Sequence, residues 1–497
     1  MKPRTSREGP EQAPGRLRGI PALLLQTLLV VAVAAPAGIA VAPAFLGPDR
    51  PSEASQTALP WQQIPATLSV PGGSGGGIGP LSATAPLPAG AALAAQLNGT
   101  LKPDGAGTFT GIVQDAISGK VLFDRGADKA RIPASNMKLL TAGAALRVLG
   151  PDRRFSTRVV AGPTPGSVVL TGGGDVLLAA GESAPGAVLG RAGLATLAKA
   201  TADALKASGM TGAVRVLLDD SLFSGPSLSQ AWSPEDVAAG EMAPLYPLAL
   251  NSARFDPART TGPRPQDAAM TAAKAFAARL TAAAADKGLS VAPGVARIEP
   301  SEALDSADAK VLAEVQSATV GQQVDFMLQT SDNYLAEVMG RMTALGAGRP
   351  GSSAEAIAAV LAQVKDMGVP TDGLRAADVS GLALANRVSA RQLTDVVRAM
   401  TSGTDARLRA ALTGFPVAGL TGTLGDRYTD AASAAGAGLV RAKTGTLNTV
   451  IALSGYVVDA DGRLLVFSFV GNGLTPGAAN KAALDRSAAV LAGCGCR

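Results

Sequence analysis

The sequence predicts an α+β fold, in which an antiparallel sheet is flanked by helices and interrupted by a large mixed α/β insertion. Two pairs of apolar strands predict the sheet, because one pair stands near each end of residues 84–497. Helix-forming segments lie between the two pairs. Strands from both ends of one domain form a single antiparallel sheet most economically, and the helices then cover its faces.

Residues 1–83 come before this domain and divide into three segments of different composition. Residues 1–18 are basic, and the run from 19 to 47 is uncharged and long enough to cross a bilayer core of about 30 Å. We therefore expect a cytoplasmic N-terminus and a single-pass transmembrane anchor at 19–47. A cleaved signal segment is the alternative, since Ala40-Val-Ala42 has the form of a cleavage site. Residues 48–83 are rich in Pro, Gly and Ser, which predicts a linker.

The two strand pairs of the sheet are predicted hairpins. The first joins residues 107–115 to residues 120–124 through a turn rich in small polar residues. The second joins residues 449–458 to residues 464–471, and a strand that carries Lys443 precedes it. Lys443 is thus expected on the first of three consecutive strands.

A helix is predicted directly after the first hairpin. Residues 139–149 are mostly good helix formers, and Gly150-Pro151 is a stop signal. Pro133 fits an extended approach, so we expect the helix to begin at Ser135. Ser135 would then lie at the positive end of the helix dipole.

Residues 156–315 form the predicted insertion between residues 84–155 and residues 316–497. Valine-rich strands at 167–171 and 213–218 and an alanine-rich helix at 268–284 predict one or two small mixed α/β subdomains. Asp219-Asp220 could be a metal pair, but we interpret it as a turn at a strand end. A chain without histidine lacks the usual zinc ligand, and we expect neither a metal nor a cofactor.

Composition excludes nucleic acids as partners, and it leaves the state of the two cysteines open. The net charge is only +5 and aromatic residues make up 3%, so the basic patch with stacking aromatics that nucleic-acid binding needs is missing. Cys494 and Cys496 are the only cysteines. A small-loop disulfide and two free thiols both remain open.

Three short motifs carry the candidate chemistry: Ser135-Asn-Met-Lys138, Ser331-Asp-Asn333 and Lys443-Thr-Gly445. A serine hydroxyl needs a base within about 2.6–3.2 Å to become nucleophilic. Without imidazole, lysine is the candidate, and positions i and i+3 of a helix share one face. Lys138 can act as a base only if burial or a second cation, for which Lys443 is the candidate, lowers its pKa.

Each motif alone is weak, but the set in this order is used by penicillin-binding proteins and class A β-lactamases. The chain resembles the penicillin-recognising serine transpeptidase and hydrolase superfamily. Within it, the chain resembles the D-alanyl-D-alanine carboxypeptidase/endopeptidase family, the low-molecular-mass penicillin-binding proteins with a large insertion between the first two motifs. Here 196 positions separate Ser135 from Ser331. The resemblance implies a β-lactamase/transpeptidase-like catalytic domain at 84–155 and 316–497.

Four further segments are similar to the pattern of this family: Leu170-Thr-Gly-Gly-Gly-Asp175, Asp378-Val-Ser-Gly-Leu382, Asn386-Arg-Val-Ser389 and Gly422-Thr-Leu424. The pair Ala383-Leu384 departs from it, since a more polar pair is expected there. The resemblance spans roughly residue 85 to the C-terminus.

The resemblance implies catalytic roles for four residues. Ser135 would be the acylated nucleophile and Lys138 its general base. Ser331 would pass a proton toward the leaving amine, and Asn333 would position Lys138 and the substrate amide. Asp332 is expected to cap a helix rather than to take part in the chemistry.

Substrate binding is implied for Lys443, Thr444, Gly445 and Thr446. Lys443 would give the cleft its positive field, and the two threonines would hydrogen-bond a substrate carboxylate. The backbone N–H groups of Ser135 and Thr446 would form the oxyanion hole.

The implied function is that of a serine-type D-Ala-D-Ala carboxypeptidase, endopeptidase or both, acting outside the cytoplasm on peptidoglycan stem peptides. β-Lactam antibiotics would be covalent inhibitors, and the protein would be membrane-anchored or secreted to the cell wall. A β-lactamase and a catalytically idle wall-binding scaffold are the alternatives. No glutamate stands out as a dedicated deacylating base, and intact motifs argue against the scaffold.

Overall fold

Two five-stranded sheets, each covered by helices, organise the described residues, which are 84–298 and 310–495 of a computed structural model. The predicted basic segment, anchor and linker lie outside these residues. Among the helices that are described, none is long and apolar enough to cross a membrane.

The first sheet has the strand order β10-β11-β12-β1-β2. Strands β1 (Thr108–Asp115) and β2 (Val121–Arg125) form the first hairpin, and β10 (Arg441–Leu447), β11 (Val450–Val458) and β12 (Leu464–Asn472) come from the other end of the chain. All its neighbours are antiparallel, and β1 pairs with β12. The predicted antiparallel sheet built from both ends of the chain is confirmed.

Helices cover both faces of this sheet, which explains why its central strands are apolar almost throughout. Helices α1 (Gly90–Thr100) and α10 (Ala478–Gly493) pack on one face. The other face meets a helical layer that includes α2 (Met137–Leu149) and α9 (Ala390–Ser402). A strand that is buried on both sides has no solvent-facing positions to fill with polar residues.

Besides α2 and α9, the helical layer contains three more helices: α6 (Val320–Thr330), α7 (Asn333–Gly346) and α8 (Ser353–Asp366). Almost every side chain of α2 is buried, and the helix ends at Gly150, which has φ 81°. The predicted stop is therefore confirmed. The expected start is wrong by two residues, because Ala134 has φ 48° and residues 134–136 form a 3₁₀ turn before the α-helix begins at Met137.

The second sheet lies between residues 156 and 316 and has the order β7-β6-β5-β4-β8. Its strands are β4 (Ser156–Ala161), β5 (Ser167–Thr171), β6 (Ala213–Asp219), β7 (Ser290–Arg297) and β8 (Val311–Gln316). Neighbours β5 and β6, and β6 and β7, are parallel, whereas β4 pairs antiparallel with β5 and β8. The predicted strands at 167–171 and 213–218 are confirmed as β5 and β6.

Helices α3 (Leu194–Ala207) and α5 (Ala268–Ala285) bury their apolar side chains against this second sheet. The alanine-rich helix predicted at 268–284 is α5. A short helix, α4 (Pro234–Ala238), follows in a loop region between β6 and α5. Two-residue strands, β3 (Ala130–Arg131) and β9 (Val388–Ser389), pair with each other near the first sheet.

Asp219 and Asp220 end strand β6 as a turn. The Asp219 carboxylate accepts hydrogen bonds from the backbone and hydroxyl of Ser221, and Asp220 forms an ion pair with Arg297 at 2.8 Å. Within residues 84–298 and 310–495, no group of three or more His, Cys, Asp or Glu side chains is placed to hold a metal ion.

Cys494 is disulfide-bonded, so the free-thiol alternative is wrong for this residue.

Candidate active site

Ser135 and Lys138 meet at the start of helix α2. Ser135 lies in the 3₁₀ turn and is partly exposed, whereas Lys138 lies in the first turn of the helix and is fully buried. Lys138 Nζ is 3.0 Å from Ser135 Oγ. The spacing of three residues therefore brings the two side chains together as the sequence predicts.

Two glycines allow neighbouring segments to approach this turn. A Cβ atom on Gly445 of β10 would lie 2.9 Å from the carbonyl oxygen of Pro133 and 3.2 Å from the backbone nitrogen of Ser135. Gly381 has φ 87°, and a Cβ there would lie 1.9 Å from the carbonyl oxygen of Ala134. The glycine of the third motif is thus required so that the sheet edge can pack against the serine.

The Lys138 ammonium has an acceptor for each of its three hydrogens. Besides Ser135 Oγ, these are Asn333 Oδ1 at 2.6 Å and the Ser380 carbonyl oxygen at 2.8 Å. Burial lowers the pKa of Lys138 to about 8, although nearby carboxylates, first among them Asp378, oppose the shift. A substantial fraction of the lysine is therefore neutral near physiological pH.

Lys443 lies buried on β10 and contacts the second motif. Its Nζ atom is 2.9 Å from Ser331 Oγ and 2.8 Å from the carbonyl oxygen of Thr444. Burial, and then the charge of Lys138, hold the pKa of Lys443 well below its usual value. The hypothesis that Lys443 depresses Lys138 is not needed, because burial is the largest cause of the Lys138 shift.

The second motif joins helices α6 and α7. Ser331 ends α6 in a left-handed conformation with φ 59°. Asp332 caps α7, since its side chain accepts a hydrogen bond from the Leu335 backbone at 2.9 Å, which confirms the expected capping role. Asn333 is the first residue of α7, so its side chain points from the helix start to Lys138.

Two buried acidic side chains position the Ser380 carbonyl: Glu337, which the sequence analysis missed, and Asp378, to which it gave no role. Glu337 Oε1 accepts hydrogen bonds from the backbone nitrogens of Val379 at 2.9 Å and Ser380 at 2.8 Å. Asp378 accepts from the backbone of Gly381 at 2.8 Å. Glu337 follows Asn333 by four residues on one helix, and that spacing is the signal that could have found it.

The Ala383-Leu384 pair does not disturb this loop. Ala383 contributes its backbone N–H, which donates to Asp378 at 2.7 Å, so the contact is independent of the side chain. Leu384 is exposed at the rim of the cleft. The departure from the family pattern therefore leaves the loop geometry intact.

A cleft of about 1510 Å³ opens above the motifs and brings the predicted residues together. Its wall includes five of them: Ser135, Ser331, Asn333, Thr444 and Thr446. Lys138 and Lys443 lie buried beneath, and Gly445 packs against the Ser135 turn. The Thr444 hydroxyl is 2.7 Å from that of Thr423, which belongs to the Gly422-Thr-Leu424 segment.

The sheet formed by both chain ends, the buried lysines and the three motifs around one serine define the penicillin-binding class of serine hydrolases. Within this class, the chain belongs to the D-Ala-D-Ala carboxypeptidase 3 (S13) family, which matches residues 93–265 and 257–492. The predicted family, the fold class and the enzyme class, a serine-type D-Ala-D-Ala carboxypeptidase or endopeptidase, are confirmed.

Two relatives support this assignment, and two solved structures share the fold. The chain is 37% identical over 471 residues to carboxypeptidase DacB of Mycolicibacterium smegmatis, covering 94% of this chain and 95% of that protein. It is 30% identical over 439 residues to a D-alanyl-D-alanine carboxypeptidase of Actinomadura sp., covering 73% and 77%. Penicillin binding protein 4 (dacB) from Haemophilus influenzae shares the fold, with a TM-score of 0.64, 19% identity and coverage of 79% and 97%. A structure of that protein with a β-lactam gives a TM-score of 0.57 at 18% identity, with the same coverage.

Proposed function

We propose that this protein hydrolyses peptidoglycan stem peptides ending in D-Ala-D-Ala through an acyl-enzyme on Ser135. The observation that carries the proposal is the 3.0 Å distance between Ser135 Oγ and Lys138 Nζ, together with the full burial of that lysine. Neutral Lys138 takes the hydroxyl proton while Oγ attacks the carbonyl carbon of the scissile peptide bond. Asn333 Oδ1 and the Ser380 carbonyl orient the amine for this step.

Lys443 and Ser331 complete the proton path. Ser331 Oγ lies 2.9 Å from Lys443 Nζ and faces the cleft, where it gives its own proton to the departing amine nitrogen as the C–N bond breaks and receives in return the proton that Lys138 took from Ser135. Lys443 keeps the Ser331 hydroxyl hydrogen-bonded during this step. The backbone N–H groups of Ser135 and Thr446 stabilise the oxyanion of the tetrahedral intermediate.

Thr444 and Thr446 bind the C-terminal carboxylate of the substrate. Both line the cleft beside Ser135, and the Thr444 hydroxyl shares a hydrogen bond with that of Thr423. Water then attacks the ester carbon of the acyl-enzyme while neutral Lys138 takes its proton; that proton passes to Ser135 Oγ as the ester bond breaks, and the shortened peptide leaves.

The same site serves carboxypeptidase and endopeptidase reactions, which differ in whether the leaving amine is free D-alanine or a cross-linked chain. The open cleft of about 1510 Å³ has room for a branched substrate. β-Lactams acylate Ser135 as analogues of the scissile peptide. The catalytic part works outside the cytoplasm, held by the 19–47 anchor or released after cleavage of that segment.

The activity is tested with the purified full chain and two substrates. A pentapeptide ending in D-Ala-D-Ala should release D-alanine, and a cross-linked muropeptide should be cut if the protein is also an endopeptidase. Loss of both activities in Ser135→Ala is expected. Rapid, sustained nitrocefin turnover without release of D-alanine would instead support the β-lactamase alternative.

A further inference from the structure

The inserted region reaches the second motif at two points. The main-chain oxygen of Glu241 lies 3.2 Å from Asn333 Nδ2, and Glu241 Oε2 lies 3.4 Å from the same atom. Arg254 Nη2 lies 4.0 Å from Asp332 Oδ2. Both residues also line the cleft. Part of the site is therefore supplied by residues between the first and second motifs.

The Glu241 contacts decide which way the Asn333 amide faces. A carboxamide accepts at its oxygen and donates at its nitrogen, and the two ends are nearly the same shape. With Nδ2 toward Glu241, Oδ1 faces Lys138 Nζ at 2.6 Å. A flipped amide would turn its N–H groups toward the lysine ammonium and its oxygen toward two acceptors of Glu241. The flipped state loses hydrogen bonds at both ends.

A buried arginine holds Glu241 at this place. Arg264 is only 4% exposed, and its Nε donates to the carbonyl oxygen of Gly240 at 2.5 Å. Its Nη1 donates to the carbonyl oxygen of Ser252 at 2.7 Å. One guanidinium thus ties the residue before Glu241 to the turn before Arg254.

The turn that contains Ser252 and precedes Arg254 has a strained backbone. Asn251, Ser252 and Ala253 have φ values of 53°, 56° and 55°, a left-handed conformation that is unfavourable for L-residues. The Ser252 backbone nitrogen donates to the carbonyl oxygen of Val176 at 2.7 Å. Such backbone persists only where the surroundings fix it, and it concentrates at functional sites.

We propose that Glu241 is a positioning residue of the active site, which orients the Asn333 amide so that Oδ1 faces Lys138, and that Arg264 holds Glu241 in place. The inference rests on the proposed function, because Asn333 and Lys138 have their roles there. It assigns the inserted region a direct part in the reaction.

The charge of Glu241 also acts on Lys138. The groups that face this lysine are Lys443 and the carboxylic acids Asp378, Asp332, Glu337 and Glu241, and the carboxylates raise the pKa of Lys138. Removing the Glu241 charge lowers that pKa. More Lys138 is then neutral at a given pH, so the acidic limb of the rate profile moves to lower pH.

The test uses the full chain and measures the rate of acylation by a fluorescent penicillin from pH 5 to 10. Glu241→Ala should lower the plateau rate roughly tenfold, the effect of one lost hydrogen bond in a polar network. Glu241→Gln keeps an acceptor and should lose less, but both variants should shift the acidic limb to lower pH. Glu235→Gln removes a carboxylate from the same wall and should change neither quantity.

Three results would overturn the inference. Glu241→Ala could match wild type in rate and in pH profile, or Glu235→Gln could reproduce its effects, which would reduce Glu241 to a general cleft charge. A higher plateau rate in Glu241→Ala would mean that Glu241 competes with substrate for the Asn333 amide. If wild type itself is not acylated at Ser135, the proposed function fails and the inference falls with it.

Arg264→Lys provides a second measurement. Lysine keeps the charge but cannot donate to two carbonyl oxygens in the fork geometry of arginine. The same loss of rate and the same direction of pH shift as in Glu241→Ala are expected. A variant that melts like wild type and keeps the wild-type pH profile would contradict the role of Arg264.

Discussion

Lys138 Nζ contacts Ser135 Oγ at 3.0 Å, and the same nitrogen contacts Asn333 and the Ser380 carbonyl. The lysine nitrogen is therefore held in one position by three contacts. A base that is already placed and partly neutral needs no rearrangement before it takes the serine proton.

Replacing Lys138 by methionine should abolish most acylation. The side chain keeps its length, but no group remains to take the proton, and a general base contributes roughly 10²- to 10⁴-fold. The rate of labelling by a fluorescent penicillin measures this. Lys199→Met, at an exposed lysine of α3 paired with Glu182, is the control and should label like wild type. Equal labelling rates in Lys138→Met and wild type would exclude lysine as the base.

The acylation rate of the wild-type protein should rise with pH and level off above about pH 8. Burial lowers the pKa of Lys138 to about 8, and only the neutral amine is a base. Below this value the neutral fraction falls about tenfold per pH unit. A stopped-flow pH profile tests the sign, and a rate that is constant from pH 6 to pH 9 would contradict it.

Gly445→Ala should impair acylation without unfolding the protein. The new Cβ would come within 3.2 Å of the Ser135 backbone nitrogen, so either β10 or the serine turn must move. A displacement of about 1 Å at a reacting group costs on the order of 10²-fold. Gly99→Ala, in α1 with open space around its Cβ, is the matched control. Wild-type labelling by Gly445→Ala would show that this close approach does not matter.

The protein should tolerate glutamine in place of Glu337 but not alanine, which lacks the side-chain acceptor. Burial raises the pKa of Glu337 to about 8, with a further contribution from Asp378. Glu337→Gln keeps an oxygen for the two backbone N–H groups and should acylate normally. Glu337→Ala leaves both N–H groups unpaired and should lower the unfolding free energy by about 2–3 kcal/mol.

The raised pKa of Glu337 also predicts how the stability of the protein changes with pH. The folded pKa of Glu337 lies above its ordinary value of 4.5, so the native state holds the proton more tightly. Its contribution to stability is complete below pH 4.5 and declines as pH rises toward 8. Denaturant unfolding should show this decline in wild type and a smaller one in Glu337→Gln. A steeper decline in the glutamine variant would contradict it.

The sequence predicted the elements and residues that depend on local pattern. The hairpins around the Ser118 turn and the 459–462 turn follow from apolar strands and turn residues, and the pairing of Ser135 with Lys138 follows from helical spacing. The start of α2 was misplaced, because the left-handed backbone at Ala134 arises from packing against Gly381 and Gly445.

Residues whose role depends on distant contacts could not be predicted. Glu241 contacts Asn333 across 92 positions, and no motif marks it. Asp378 belongs to a recognised segment, yet its function as acceptor for the loop that carries Ser380 depends on how the chain folds back. That burial is the largest cause of the lowered Lys138 pKa likewise depends on the packed interior.

The most direct test of the central claim is intact-mass analysis of the full chain after reaction with benzylpenicillin. The account predicts one penicilloyl adduct, located on Ser135 by peptide mapping and absent from Ser135→Ala. An unmodified wild-type protein, or an adduct that persists in Ser135→Ala, would contradict it.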